Sequence, residues 1–269
     1  MKIAFQTLAC PNWDWDTTLQ QAAAMGYDGI ELRGVEGEMF LPRARPFLPE
    51  HIEGTIQQLR QMKLELCCLD TSSAFHDADR YDAAIAEGRA YIDLAGKLGV
   101  PYIRVFGDAI PDPAEAAATI RRIAAGLTEL GQYAEGTGVT VLLETHGDIS
   151  NYSVIQEILS LTSSSSIGLL WDFEHPFTHG EDPAVTYREL SPYIKHTHVK
   201  DARIDDQGSK QLTLIGEGSV PVSAIVQFMK QGGYDGWLSL EYEKKWFPDN
   251  LEEPEVSLPA YIAYMRSLL

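Results

Sequence analysis

The sequence predicts an α/β protein folded as one (β/α)8 barrel that occupies residues 1–269 as a single domain. Three observations carry this: eight short apolar runs, turn signals ahead of most of them, and helical periodicity between them. Strands that alternate with helices imply parallel βαβ units. Eight such units in 269 residues suit a closed barrel better than an open sheet. No shift in composition marks a second domain.

The strand runs are KIAFQT (2–7), GIELRG (29–34), LELCCLD (64–70), YIRVFG (102–107), VTVLLETHG (139–147), IGLLWDFEH (167–175), IKHTHVKD (194–201) and GWLSLEYE (236–243). Turn signals such as MGYDG, KLGVP, EGTGV and QGGYDG precede most of them. DTTLQQAAAMG begins with an acidic cap candidate, Asp16, and ends at a glycine. PEHIEGTIQQLRQM carries apolar residues at helical spacing. YDAAIAEGRAYIDLAGKLG and PAEAAATIRRIAAGLTELGQYAEGTG are alanine-rich helices closed by glycine, and EPEVSLPAYIAYMRSLL is a last helix. LTSSSSIG is a loop rather than a linker.

The composition is that of a globular protein, with 45% hydrophobic and 22% charged residues. A formal net charge of -18 opposes contact with phosphate backbones and anionic lipid, so neither nucleic acid nor membrane is expected as a partner. Three cysteines, Cys10, Cys67 and Cys68, make no disulfide framework or zinc ribbon, which suits a reduced, cytoplasmic compartment. Cys67 and Cys68 are expected in the strand core. The amino terminus is too short and polar in its apolar run for a signal peptide, and no segment is long enough to span a membrane.

In a parallel barrel the chemistry sits at the carboxyl ends of the strands. There, LLETHGD, LLWDFEH, HTHVKD and LSLEYE each deliver an ionisable residue after an apolar run: Glu144, Asp172, His198 and Glu241. Three carboxylates and an imidazole on one face would repel one another without a cation. An oxygen-rich set with one nitrogen suits one divalent ion such as Mn, Mg, Co or Zn. Period two sends His196, His198 and Lys200 to the same face of their strand. His198 is the expected ligand, His196 a packed or supporting residue, and Lys200 a rim ammonium that neutralises developing negative charge. His146 shares a strand face with Glu144 and is either a substrate contact or a hydrogen-bonded rim residue. Glu31 and Arg33 form an internal ion pair or touch substrate, and Arg104 has the same standing. Trp13, Trp15, Phe75, His76 and Trp246 fall in loops after strand ends, where aromatics either wall a sugar site or simply pack. The amides of LIGEGS line a loop but match no phosphate-binding motif.

From YDGIELRG to LSLEYE the chain resembles the sugar phosphate isomerase/epimerase group of xylose isomerase-like TIM barrels. That group includes ketose 3-epimerases, hydroxypyruvate isomerases and inosose dehydratases. LETHG, the D-x-x-H of DFEH, the H-x-H followed by VKD, and LIGEGSVP carry the resemblance. It implies Glu144, Asp172, His198 and Glu241 as metal ligands, and His175 and Arg203 as substrate contacts. Relatives of this kind are often dimers or tetramers, and the sequence leaves the oligomeric state open.

The chemistry follows from the residues themselves. A divalent metal stabilises the enediolate that forms when a proton leaves the carbon beside a carbonyl. Two carboxylates flanking that carbon, Glu144 and Glu241, then act as base and acid. The expectation is a metal-dependent isomerase or epimerase of a sugar or keto-sugar. The alternative is a lyase or dehydratase acting on a keto-inositol or keto-glycoside, since nearly the same residues serve elimination. A non-catalytic sugar-binding barrel and an apurinic endonuclease are the weaker readings. The nuclease would need histidines on the third and fourth strands and a basic face, whereas the fourth run ends RVFGD.

Overall fold

A computed structural model of the chain describes residues 1–205 and 208–269. In chain order its elements are β1 (Lys2–Gln6), α1 (Trp15–Met25), β2 (Gly29–Leu32), α2 (Ile52–Met62), β3 (Glu65–Ala74), α3 (Tyr81–Leu98), β4 (Tyr102–Phe106), α4 (Ala116–Ala134) and β5 (Thr140–Glu144). They continue with α5 (Tyr152–Ser160), β6 (Ile167–Asp172), α6 (Glu174–Thr178), α7 (Pro183–Leu190), β7 (Ile194–Val199), β8 (Ala202–Ile204), β9 (Lys210–Leu212), α8 (Val222–Gln231), β10 (Trp237–Leu240) and α9 (Pro254–Leu268). The main sheet closes as a barrel in the order β1-β10-β7-β6-β5-β4-β3-β2, while β8 and β9 form a separate two-stranded hairpin. The predicted barrel is therefore the observed one.

By its internal contacts the chain groups into two halves, Met1–Cys68 with Thr197–Leu269, and Leu69–His196. In the first half, β1 runs parallel to β10 (Ile3 opposite Leu238) and to β2 (Phe5 opposite Ile30). β2 and β10 are buried at every residue, as parallel strands covered on both faces should be. The cap of α1 is Asp14, two residues before the expected Asp16. Its carboxylate accepts from the Thr17 amide at 2.8 Å, and Gly26 ends the helix in the left-handed region.

In the second half, β4 pairs with β5 (Phe106 opposite Glu144) and β5 with β6 (Glu144 opposite Leu170), all parallel. β3 runs past its expected end at residue 70 to Ala74, through an irregularity in its register with β4. The fifth strand stops at Glu144 rather than residue 147, because His146 turns back to bridge Ile149. The sixth stops at Asp172 rather than 175: its Oδ1 accepts from the Glu174 amide at 3.0 Å and launches α6. Cys67 and Cys68 are fully buried in β3, as expected.

Candidate active site

Within the first half, His198 lies one residue before the end of β7, and β2 and the residue after β10 supply its neighbours. His198 Nε2 lies 3.0 Å from Glu31 Oε1, and its Nδ1 lies 3.3 Å from Glu241 Oε2. Gln6 Nε2 on β1 donates to Glu241 Oε1 at 3.2 Å. Lys200 Nζ sits 2.6 Å from Glu241 Oε2 and 3.3 Å from Glu243 Oε1. Glu31, for which the sequence left an ion pair with Arg33 or a substrate contact open, faces His198. Lys200 is 2% exposed, drawn inward by two carboxylates rather than standing at an open rim.

The second half assembles around Arg104, 1% exposed at the centre of β4. Its Nε lies 3.1 Å from Glu144 Oε2 and 3.6 Å from Asp70 Oδ1, and Nη1 donates to the Thr71 carbonyl at 3.2 Å. The guanidinium stacks over Phe106, 3.8 Å from the ring centroid. The Thr145 hydroxyl donates to the Asp172 carbonyl at 2.8 Å. His175 Nε2 is 3.8 Å from Asp172 Oδ2, and its ring lies against that of His146, centroids 4.5 Å apart. His146 in turn contacts Phe106 and places Nδ1 3.0 Å from Asp108 Oδ1. That hydrogen bond holds the Asp108 carboxyl below the usual carboxylate range. The structure thus brings His146 and His175 side by side, and buried His196 packs near Tyr102.

Glu144 and Asp172 close β5 and β6 in the second half, while in the first His198 lies one residue before the end of β7 and Glu241 directly follows β10. All four residues are buried, at 0, 0, 0 and 7% exposure. A water-poor set of three carboxylates and an imidazole has the donor chemistry of a hard or borderline divalent ion. A carboxylate on the second imidazole nitrogen is also what a histidine ligand ordinarily needs to fix its tautomer, whichever nitrogen binds.

Other expectations have different outcomes. Arg203 is exposed on β8, its Nε donating to the Glu217 carbonyl at 3.2 Å, and the structure does not draw it into the cluster around His198. Trp15 begins α1 and packs edge-on to Phe47, and Phe75 is fully buried, so both are core. Trp246 is exposed. The LIGEGS amides already have an anion. Asp201 accepts from the amides of Gly216 and Gly218 at 2.9 Å each, of Ala202 at 2.9 Å and of Val220 at 3.1 Å. Burial pushes the Asp201 carboxyl above its usual range, and the four amides oppose that shift. Gly218 is required because any Cβ there would strike the Asp201 carboxylate.

The fold and the donor set define a barrel of a known kind. The chain belongs to the xylose isomerase-like TIM barrel family, whose sequence model matches residues 19–268. An inosose dehydratase of Lacticaseibacillus casei is 27% identical over 139 residues, which cover 46% of this chain and 47% of that enzyme. The matched region thus spans about half the length of such curated relatives. Among solved structures, IolI protein with a bound zinc atom superposes with a TM-score of 0.83 at 18% identity, covering 100% of this chain and 98% of that one. The apo form of 3-keto-D-glucoside 4-epimerase from E. coli gives a TM-score of 0.78 at 17% identity, covering 99% of both chains.

Proposed function

We propose that this chain is a divalent-metal-dependent enzyme that removes a proton beside the carbonyl of a sugar or keto-polyol. The observation that carries the reading is that Glu144, Asp172, His198 and Glu241 are all buried at the carboxyl ends of their strands. These residues would hold the ion, and the ion would supply Lewis-acid stabilisation of the negative charge that develops on the substrate oxygen. Glu144 and Glu241 take and return the proton. Gln6 and Lys200 fix Glu241, and Arg104 fixes Glu144. His146 and His175 meet substrate hydroxyls. Lys200 adds a buried positive charge beside Glu241.

Elimination of water from a keto-inositol is the outcome we place first, because the sequence similarity to an inosose dehydratase supports it. Return of the proton, giving epimerisation or isomerisation, is the second reading. It is supported by having two carboxylates for one carbon and by the likeness in fold to a keto-glucoside epimerase. The one-domain reading rests on the closed sheet. The cytoplasmic reading rests on three buried free cysteines. No helix among the described residues is long and apolar enough to cross a membrane.

The test is to measure bound metal per chain, then incubate the metal-loaded protein with inosose and a panel of ketoses in D2O. Proton signals report substrate, site of deprotonation and product together. A chain that binds no divalent ion, or a loaded protein that exchanges no proton from any of these compounds, would overturn the proposal.

A further inference from the structure

Asp108, just past β4, has φ +70°, a backbone region that a residue other than glycine enters at a cost of about 1 kcal/mol or more. Two interactions with the loop after β5 hold it there. Its carbonyl accepts from the Asp148 amide at 2.8 Å, and Asp148 Oδ2 accepts from the Ile110 amide at 2.9 Å. Gly147 is needed for the approach, since a Cβ there would collide with the Asp108 carbonyl. Two loops are therefore clasped around a strained residue, and its side chain hydrogen-bonds one histidine and lies near a second. Oδ1 is 3.0 Å from His146 Nδ1 and Oδ2 is 3.7 Å from His76 Nδ1.

An ionised carboxylate can only accept, so the hydrogen of a neutral His146 must sit on Nδ1, leaving the lone pair on Nε2. The ring cannot swing easily, with Phe106 at 4.8 Å and His175 at 4.5 Å between centroids. We infer that Asp108 is a positioning residue: from its strained backbone it fixes His146 as an Nε2 acceptor beside His175, so that the two imidazoles meet neighbouring hydroxyls of a polyol. The substrate half of this inference rests on the function proposed above. The positioning half does not.

Two variants separate carboxylate from backbone. Asp108→Gly adopts φ +70° without strain and removes only the carboxylate. Asp108→Asn tolerates the same φ and keeps an acceptor oxygen. The primary readout is the 15N shifts of His146 in zinc-loaded protein, assigned with His146→Gln and recorded above the ordinary histidine titration range. The wild type and Asp108→Asn should show Nδ1–H, and Asp108→Gly a mixture or Nε2–H. The second readout is inosose turnover. Asp108→Gly should lose about 10- to 100-fold in kcat with unchanged metal content, and Asp108→Asn should recover most of it. An Nδ1–H tautomer retained in Asp108→Gly overturns the positioning. A shifted tautomer with wild-type kcat overturns its role in turnover. If the wild type leaves inosose and ketoses untouched while the tautomer shifts as expected, the functional proposal fails and the positioning stands.

Discussion

Replacing Asp201 with alanine should destabilise the fold through four backbone amides rather than through a lost ion pair. The carboxylate is the common acceptor for Ala202, Gly216, Gly218 and Val220. Its ionisation already costs the fold something, because burial raises its pKa. The loss on removal is thus the orphaning of donors, which is the expensive side of a hydrogen bond. Gly216 is exposed and Gly218 half-buried, and water can reach them. Ala202 and Val220 are 0 and 6% exposed. Two buried orphan amides at about 1–3 kcal/mol each, reduced by water entering the vacated space, leave about 3 kcal/mol. For a chain of this length that is a fall in Tm of about 6 °C. Thermal melts followed by circular dichroism measure it. Inorganic phosphate should recover part of the loss in Asp201→Ala by filling the cradle, and should leave the wild type unchanged. A variant that melts within 1 °C of wild type, or phosphate that stabilises both proteins equally, would refute the reasoning.

Elemental analysis should find much less divalent metal in His198→Ala than in His196→Ala, and the reverse order would move the ligand two residues down β7. His175→Ala should weaken substrate use while metal content stays near wild type; loss of metal would make His175 a ligand. With metal restored, Glu144→Gln and Glu241→Gln should each lose about 10²- to 10⁴-fold in rate. One of them should stop deuterium exchange at the substrate carbon, while the other still exchanges without forming product. Turnover in D2O with no deuterium incorporated would rule out the two-carboxylate scheme. Asp14→Ala should lower Tm at neutral pH. The Thr17 hydroxyl and amide hold the Asp14 carboxyl below its usual range, so its contribution is present above the ordinary carboxylate pKa and lost as pH falls through the depressed value. Melts of the two proteins should therefore converge in strong acid.

The barrel was legible because each strand is an apolar run, most of them preceded by a turn signal, and period and spacing need no tertiary information. The proposed ligands were legible for the same reason: they follow apolar runs at strand ends. Their partners were not. Glu31 sits between Ile30 and Leu32 in a strand buried throughout, and its link to His198 spans 167 positions of sequence. The available signal was the acid itself, since a carboxylate inside an apolar run demands a partner. Asp70 and Arg104 gave the same signal, and the register of β3 with β4 sets them opposite one another. Local chemistry misled at two boundaries. THG and FEH read on paper as continuations of their strands, yet the His146–Ile149 bridge and the Asp172 turn break the chain away from the sheet. The hairpin of β8 and β9 has only three residues per strand, too short for a periodic signal.

Why β7 carries imidazoles on a buried face follows from charge. Among the described residues of the second half, Asp70, Glu144, Asp172 and Glu174 are fully buried, and Arg104 is the single buried lysine or arginine. In the first, Glu31 and Glu241 are buried with Lys200 near the site. Each half thus holds more buried carboxylate than fixed positive charge, an arrangement that is costly in a water-poor interior. Imidazole is the side chain suited to such a place. It can lie between two carboxylates, as His198 does at 3.0 and 3.3 Å, by carrying a proton, or it can give that proton up and serve as a neutral ligand. A divalent ion supplies the missing charge without changing the residues. Metal binding should therefore release protons and raise Tm together, because the same excess of negative charge drives both. A protein that took up metal with neither effect would have its ion somewhere else.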